Sequence, residues 1–450
     1  MTLLPITAPA SLLDVAADQG FQGREITRPR PPEAPPGFRA DHAVATAAGD
    51  TYVLTGLRRY RAQAAGSADP AEQDFGYQMI TRYGSDGKPT ATAVFGQAVP
   101  GGGPSAIPEG DTTTLAVLPD GAIAVSSKPG STHLLSPDLD EVLASWPMSW
   151  VWEKQQGPGD EPFAASIVVT PAGRLLCMTS EYGLSNWAGA HPNIVAVSEP
   201  GTRLGPGSKP VLRAIATLDA RTDRQSDADS YAHVRYGDEP VGRGNRPSPS
   251  LTEALSELTG TSGSLYGYQD SKMTRPVALG DDLFVVPVFG KIYRSTNRGQ
   301  EFSFALVDER GAVRGRLGGL HLREDSPFTG FDFTVVADPH RARAFHLNRY
   351  GLYAWSADGQ LRARMSTAEK PFKPLVHFAL LECTPAGELL LAHRKQHLML
   401  RVPVPQDLDD LGVAVEAALK GYGRERTALK KQYAPVNWLW SDSAATVNHL

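Results

Sequence analysis

Apolar and polar residues alternate along most of this chain in short runs, and the runs come in pairs joined by tight turns. The clearest pair is Ser166 to Met178, SIVVTPAGRLLCM, echoed by LECTPAGELLLAH from Leu381 to His393. Period-two runs on either side of a turn carrying Pro or Gly predict neighbouring antiparallel strands. The same plan recurs as HAVATAAGDTYVLTGL from His42, TTTLAVLPDGAIAVSSK from Thr112, RPVALGDDLFVVPVFG from Arg275 and FDFTVVADPHRARAFHLN from Phe331. Second strand pairs follow most of them, as in YQMITRYGSDGKPTATAVFG from Tyr77 and GLYAWSADGQLRARMS from Gly351.

A strand-pair unit repeated at tens of residues predicts one supersecondary unit used many times, which means a β-propeller rather than a sandwich. First turns near 49, 120, 172, 280, 339 and 386 are spaced about 50 to 70 residues apart, with one gap of about 110. The expectation is an all-β fold, a single propeller of six four-stranded blades over residues 41–405. A seventh blade hidden in the long gap is the alternative.

Three segments break the pattern. Residues 1–40 end in RPRPPEAPPGFR, where the prolines forbid helix and central strand, so this part is expected to be an extended lead-in. Residues 220–270 show almost no alternation and read as a long insertion, with one short helix expected over Pro249 to Leu258 because Ser250 and Glu253 form a capping box. After Pro405, Leu408, Leu411, Val415, Leu419 and Tyr422 recur at helical spacing behind Asp407, Asp409 and Asp410. This predicts an amphipathic helix, broken near Gly421 and Gly423. The tail carries Trp438 and Trp440 and is expected to pack back on the propeller, since two indoles seldom sit on a free end.

One segment carries a family resemblance. KIYRSTNRGQEF, Lys291 to Phe302, resembles the Asp-box hairpin of sialidase-like propellers, with Ser295, Gly299 and Phe302 matching and Asn297 where those proteins have Asp. The resemblance implies a structural hairpin and no catalytic role. The competing reading makes FSFALVDERGAVRGRL, Phe302 to Leu317, the second strand pair of that blade.

Composition narrows the functional classes. With 450 residues, 41% hydrophobic and 21% charged, the chain has material for a large core, and no run approaches the roughly 18 apolar residues of a membrane span. A net charge of −5 offers no general field for nucleic acid or anionic lipid, so neither is an expected partner. No basic residue precedes Arg24, so the start lacks the charged region of a secretory signal, and a cytoplasmic location is expected. Cys177 and Cys383, the only two cysteines, fall inside apolar strand patterns and read as buried free thiols.

Signatures of phosphate-binding loops, serine hydrolases and zincins are missing from the sequence, and nothing in it names a cofactor or a metal set. His393 and His397 are four apart but bracket a strand connection, so they read as exposed turn residues. Carboxylates such as Asp111, Glu181, Asp332 and Glu382 cannot be paired from sequence. Two regions are rich in binding groups: the loop with Tyr182, Trp187 and His191, and the insertion with Tyr231, His233, Arg235 and Tyr236. These seven are the candidate ligand- or partner-binding residues. The leading expectation is a binding or scaffold module that engages a protein partner. The alternative is a propeller enzyme with a small-molecule substrate at the channel mouth, capped by the insertion and worked by acid–base chemistry.

Overall fold

The computed structural model describes residues 3–5, 8–9, 38–62, 73–96, 113–127, 131–147, 164–179, 193–204, 212–218, 235–236, 239–240, 268–273, 275–293, 298–319, 334–394, 398–432, 440–441 and 446–450. Two short strands, β1 (Leu3–Pro5) and β2 (Ala8–Pro9), come first. The first blade follows as β3 (Phe38–Ala45), β4 (Thr51–Ala62), β5 (Gln73–Tyr83) and β6 (Pro89–Gly96). The second is β7 (Thr113–Val117), β8 (Ile123–Ser127), β9 (Ser131–Leu135) and β10 (Val142–Pro147). The third is β11 (Ala164–Val169), β12 (Leu175–Thr179), β13 (Asn193–Ser198) and β14 (Leu212–Leu218), extended outward by β15 (Arg235–Tyr236) and β16 (Glu239–Pro240).

In the fourth blade the innermost position is split between β17 (Tyr268–Met273) and β18 (Val277–Ala278), which both pair with β19 (Leu283–Tyr293), followed by β20 (Arg298–Asp308) and β21 (Val313–Arg316). The fifth is β22 (Val335–Asp338), β23 (Arg343–Asn348), β24 (Gly351–Trp355) and β25 (Leu361–Ser366). The sixth takes β26 (Phe378–Cys383), β27 (Glu388–His393) and β28 (Leu398–Pro403) from this part of the chain. Then come the helix α1 (Leu411–Gln432), β29 (Trp440–Ser441) and β30 (Thr446–His449). The inner strands β3, β7, β11, β18, β22 and β26 touch in that cyclic order, and β26 returns to β3. Six blades thus close a ring, as the repeat spacing predicts.

The two chain ends close it. Within the expected lead-in, β1 pairs antiparallel with β28, Leu3 opposite Leu400, and becomes the fourth strand of the sixth blade. At the other end β30 adds a fifth, parallel strand to the first blade against β6, while β29 pairs with β2. The helix α1 packs on β28, β1 and β25 and is continuous through Gly421 and Gly423, which corrects the expected break. Each glycine costs a helix only about 1 kcal/mol. Tyr422 between them stacks on His393 at 6.0 Å and meets Phe378 edge-on at 5.4 Å, which anchors this part of the helix to the sixth blade. His393 is accordingly half-buried in an aromatic cluster with His377, not an exposed turn residue, because β27 extends to it. His397 lies outside the described residues, as do the expected helix at 249–258 and Trp438. Trp440 is placed only by its backbone.

Turn chemistry explains why the repeat is legible. In TPAG the Thr170 N–H donates to the Arg174 carbonyl and the Gly173 N–H donates back to the Thr170 carbonyl, at 3.0 and 2.9 Å. Gly173 has φ of +73° and Gly387, its copy in the sixth blade, +82°, a region glycine enters without strain. The threonine is used as well: Thr46, Thr170 and Thr384 each accept, on Oγ1, the N–H of the residue four further on.

Between neighbouring sheets lie the apolar clusters that hold the disc together. Both faces of each blade are covered, so inner positions are apolar on both parities, as in Leu389, Leu390 and Leu391, all fully buried. Both cysteines are buried and free. In the fourth blade β19 and β20 pair up to Tyr293 opposite Arg298, and β20 and β21 form the Phe302–Leu317 hairpin. The connection at 294–297, which carries the Asp-box-like residues Ser295 and Asn297, lies outside the described residues. No helix among the described residues is long and apolar enough to cross a membrane.

Candidate functional site

The ring of inner strands encloses a cavity of about 510 Å³ at the end of the axis where the first turns lie. Every blade contributes to its wall, chiefly with Val, Ala, Leu and Pro. Cavities of this size hold small molecules in other proteins.

The turns fix a common register for the six inner strands. Two residues before each turn begins stand Val44, Ala116, Val168, Val277, Val336 and Glu382, all lining the cavity. Pairing confirms the equivalence: Val168 lies opposite Leu176, Val277 opposite Val285, and Glu382 opposite Leu390. Five blades place an aliphatic residue in this ring and the sixth a carboxyl. A register shift between Leu380 and Glu382 accompanies it, and such bulges re-aim a side chain near sites.

Glu382 is half-buried at the cavity wall, and burial pushes its pKa up from 4.5 to about 7, against the opposing pull of Arg275 and of the Cys383 N–H, which donates to Oε1 at 2.9 Å. Arg275, just before β18, also lines the cavity. Its charge acts as well on His42 of the first blade, on the far side of the ring, whose pKa is lowered well below 6.5 by burial first and by Arg275 second. His42 is held neutral, and its Nδ1 accepts the Leu115 N–H at 3.2 Å. An acid that titrates near neutrality, a fixed cation and a neutral imidazole therefore meet around one channel. That set can hold a polar molecule and pass it a proton. Among the described residues no three His, Cys, Asp or Glu cluster as a metal site.

Of the seven residues singled out from sequence, only Arg235 and Tyr236 fall within the described residues. Tyr182, Trp187, His191, Tyr231 and His233 lie outside the described residues. Arg235 and Tyr236 are placed by backbone only, in β15, where Tyr236 pairs with Ala214 at the outer edge of the third blade. Of the four carboxylates weighed from sequence, Glu382 alone is described. A signal for it was present: the two TPAG copies, aligned, set Glu382 against Val168.

No family model matches the chain, and no curated protein matches it. Solved structures similar to it include a gluconolactonase from Xanthomonas campestris, at 13% identity and a TM-score of 0.35 over 83% of this chain and 98% of that one. Virginiamycin B lyase from Staphylococcus aureus is similar at 9% identity and a TM-score of 0.34, over 81% and 94%. YCF48 bound to D1 peptide is similar at 9% identity and a TM-score of 0.33, over 83% and 96%.

Proposed function

We propose that the protein binds a small molecule in its central channel, against Glu382. The observation that carries this reading is the ring in which Glu382 replaces the Val or Ala of the other five blades. A half-buried carboxyl costs free energy that a valine there does not, and five blades close the ring without one. A ligand that hydrogen-bonds the carboxyl offsets that cost. With a pKa near 7, Glu382 is also suited to give or take a proton at neutral pH, so turnover by acid–base chemistry fits the same site.

The other reading, docking of a protein partner, draws on the 220–270 insertion and the tryptophan-bearing tail. The channel reading is preferred because the shared register of the six inner strands singles out Glu382 in a ring of aliphatic residues. Thermal-shift screening of a library of polar metabolites against the native protein and Glu382→Val tests it. The expected result is one or more compounds that stabilise the native protein and leave the variant unmoved. Compounds that act equally on both, or on neither, count against the channel site.

A further inference from the structure

We infer that the channel ligand carries a carboxylate, held by Arg275, His42 and Ser166 one step along the inner strands from the Glu382 ring. This inference rests on the channel-binding reading and names the ligand class for it.

Two residues before the Val, Ala and Glu ring, the inner strands place a second set: His42, Thr114, Ser166, Arg275 and Thr334, with Leu380 in the sixth blade. Of this set Arg275 lines the cavity; residues two apart on a strand share a face, so His42, Thr114 and Ser166 follow Val44, Ala116 and Val168 on the same face, while in the sixth blade the shift between Leu380 and Glu382 interrupts that alternation. The character of the set reverses: five of the six positions are polar where five above are aliphatic. Two of these side chains are more than nine-tenths buried, His42 at 6% exposure and Ser166 at 0%. His42 Nε2 and Ser166 Oγ have no hydrogen-bond partner among the described residues. Buried polar atoms are nearly always partnered, and each one left alone costs about 1 to 3 kcal/mol.

The chemistry of the set selects the ligand. Because His42 Nδ1 accepts the Leu115 N–H, the neutral ring carries its proton on Nε2, a donor. Ser166 Oγ donates too, and Arg275 adds a positive charge and further N–H groups. A cation is repelled here, and an apolar molecule leaves both donors unmet. One guanidinium, with the partly charged Glu382 just above it, suits a monoanion better than a doubly charged phosphate. A carboxylate has two acceptor oxygens and one charge, which matches what these residues offer.

Calorimetric titration at fixed ionic strength tests this, with sodium lactate and sodium gluconate as probes, glycerol and glucose as neutral controls, and inorganic phosphate as the competing anion. The expected result is saturable binding of at least one carboxylate, no binding of the neutral controls, and weaker binding of phosphate. Ser166→Ala should weaken the carboxylate about tenfold, the loss of one hydrogen bond to a charged group, while the free protein melts no lower, since the substitution removes an unpartnered buried hydroxyl. Arg275→Gln should abolish binding and Arg275→Lys restore part of it. Binding of no carboxylate, tighter binding of phosphate, or carboxylate binding indifferent to Ser166→Ala overturns the assignment. Should a neutral compound bind in a manner that depends on Glu382, the carboxylate fails and the channel site stands. If Glu382→Val changes no compound's binding, the channel reading itself fails.

Discussion

Arg174 of the third blade donates to the Glu309 carboxylate of the fourth at 2.9 Å, with Asp282 a second, more exposed partner at 3.3 Å. The guanidinium is almost wholly buried, so its charge depends on Glu309 far more than a surface pair would. Glu309→Ala is expected to cost about 2 to 3 kcal/mol because it takes the nearer partner from that buried charge, whereas Arg174→Met removes the buried charge itself, leaves the more exposed Glu309 and Asp282 to water, and costs less. Urea denaturation of both variants checks the order. Equal losses would make the pair an ordinary surface contact.

Two turn glycines separate crowding from backbone strain. Gly359, at φ +80°, would place a Cβ 2.3 Å from the Arg316 carbonyl oxygen of the neighbouring blade, while Gly201, at φ +70°, has open space around it. Gly201→Ala should cost about 1 kcal/mol from its dihedral alone, and Gly359→Ala clearly more, because blades four and five must part. Melting temperatures of the two variants decide this.

Deleting residues 1–5 should lower the melting temperature by several degrees and leave β28 as an open edge that self-associates, since β1 is the only strand described on that edge. Light scattering alongside calorimetry reads both effects. An unchanged monomer with an unchanged melting temperature would mean the closure by β1 is dispensable.

Glu382 makes stability depend on pH in a definite sense. Its folded pKa is raised from 4.5 to about 7, so the carboxyl costs nothing below pH 4.5, where it is protonated folded or unfolded. Stability falls as pH rises through this window, by up to roughly 3 kcal/mol above pH 7. His42 and His133, both lowered by burial, work in the opposite direction below pH 6.5, but a comparison with Glu382→Gln cancels them. The native protein should lose ground to the variant between pH 4.5 and 7, and parallel curves would refute the shift.

Much of this fold is legible in the sequence, because glycine turns and alternation are local. Gly49, Gly121, Gly173 and Gly387 all sit at positive φ in the first turns that the spacing marks. What stays hidden is non-local. Leu3 to Pro5 is too short to show a period, and the parallel pairing of Thr446 to His449 with β6 leaves no turn signal. The site is hidden for the same reason: Arg275, His42 and Glu382 are far apart in sequence and converge only because the ring closes. The aromatic loops drew attention through composition, whereas Glu382 stands out only against the aligned register of the other blades.

Equilibrium denaturation of Glu382→Val at pH 8 tests the central claim most directly. If the carboxyl is kept for binding at the expense of the fold, the variant, which matches Val44, Val168, Val277 and Val336, should be more stable than the native protein by about 2 kcal/mol. A variant less stable than the native protein would show that Glu382 holds the ring together, and would contradict its assignment as a ligand-binding group.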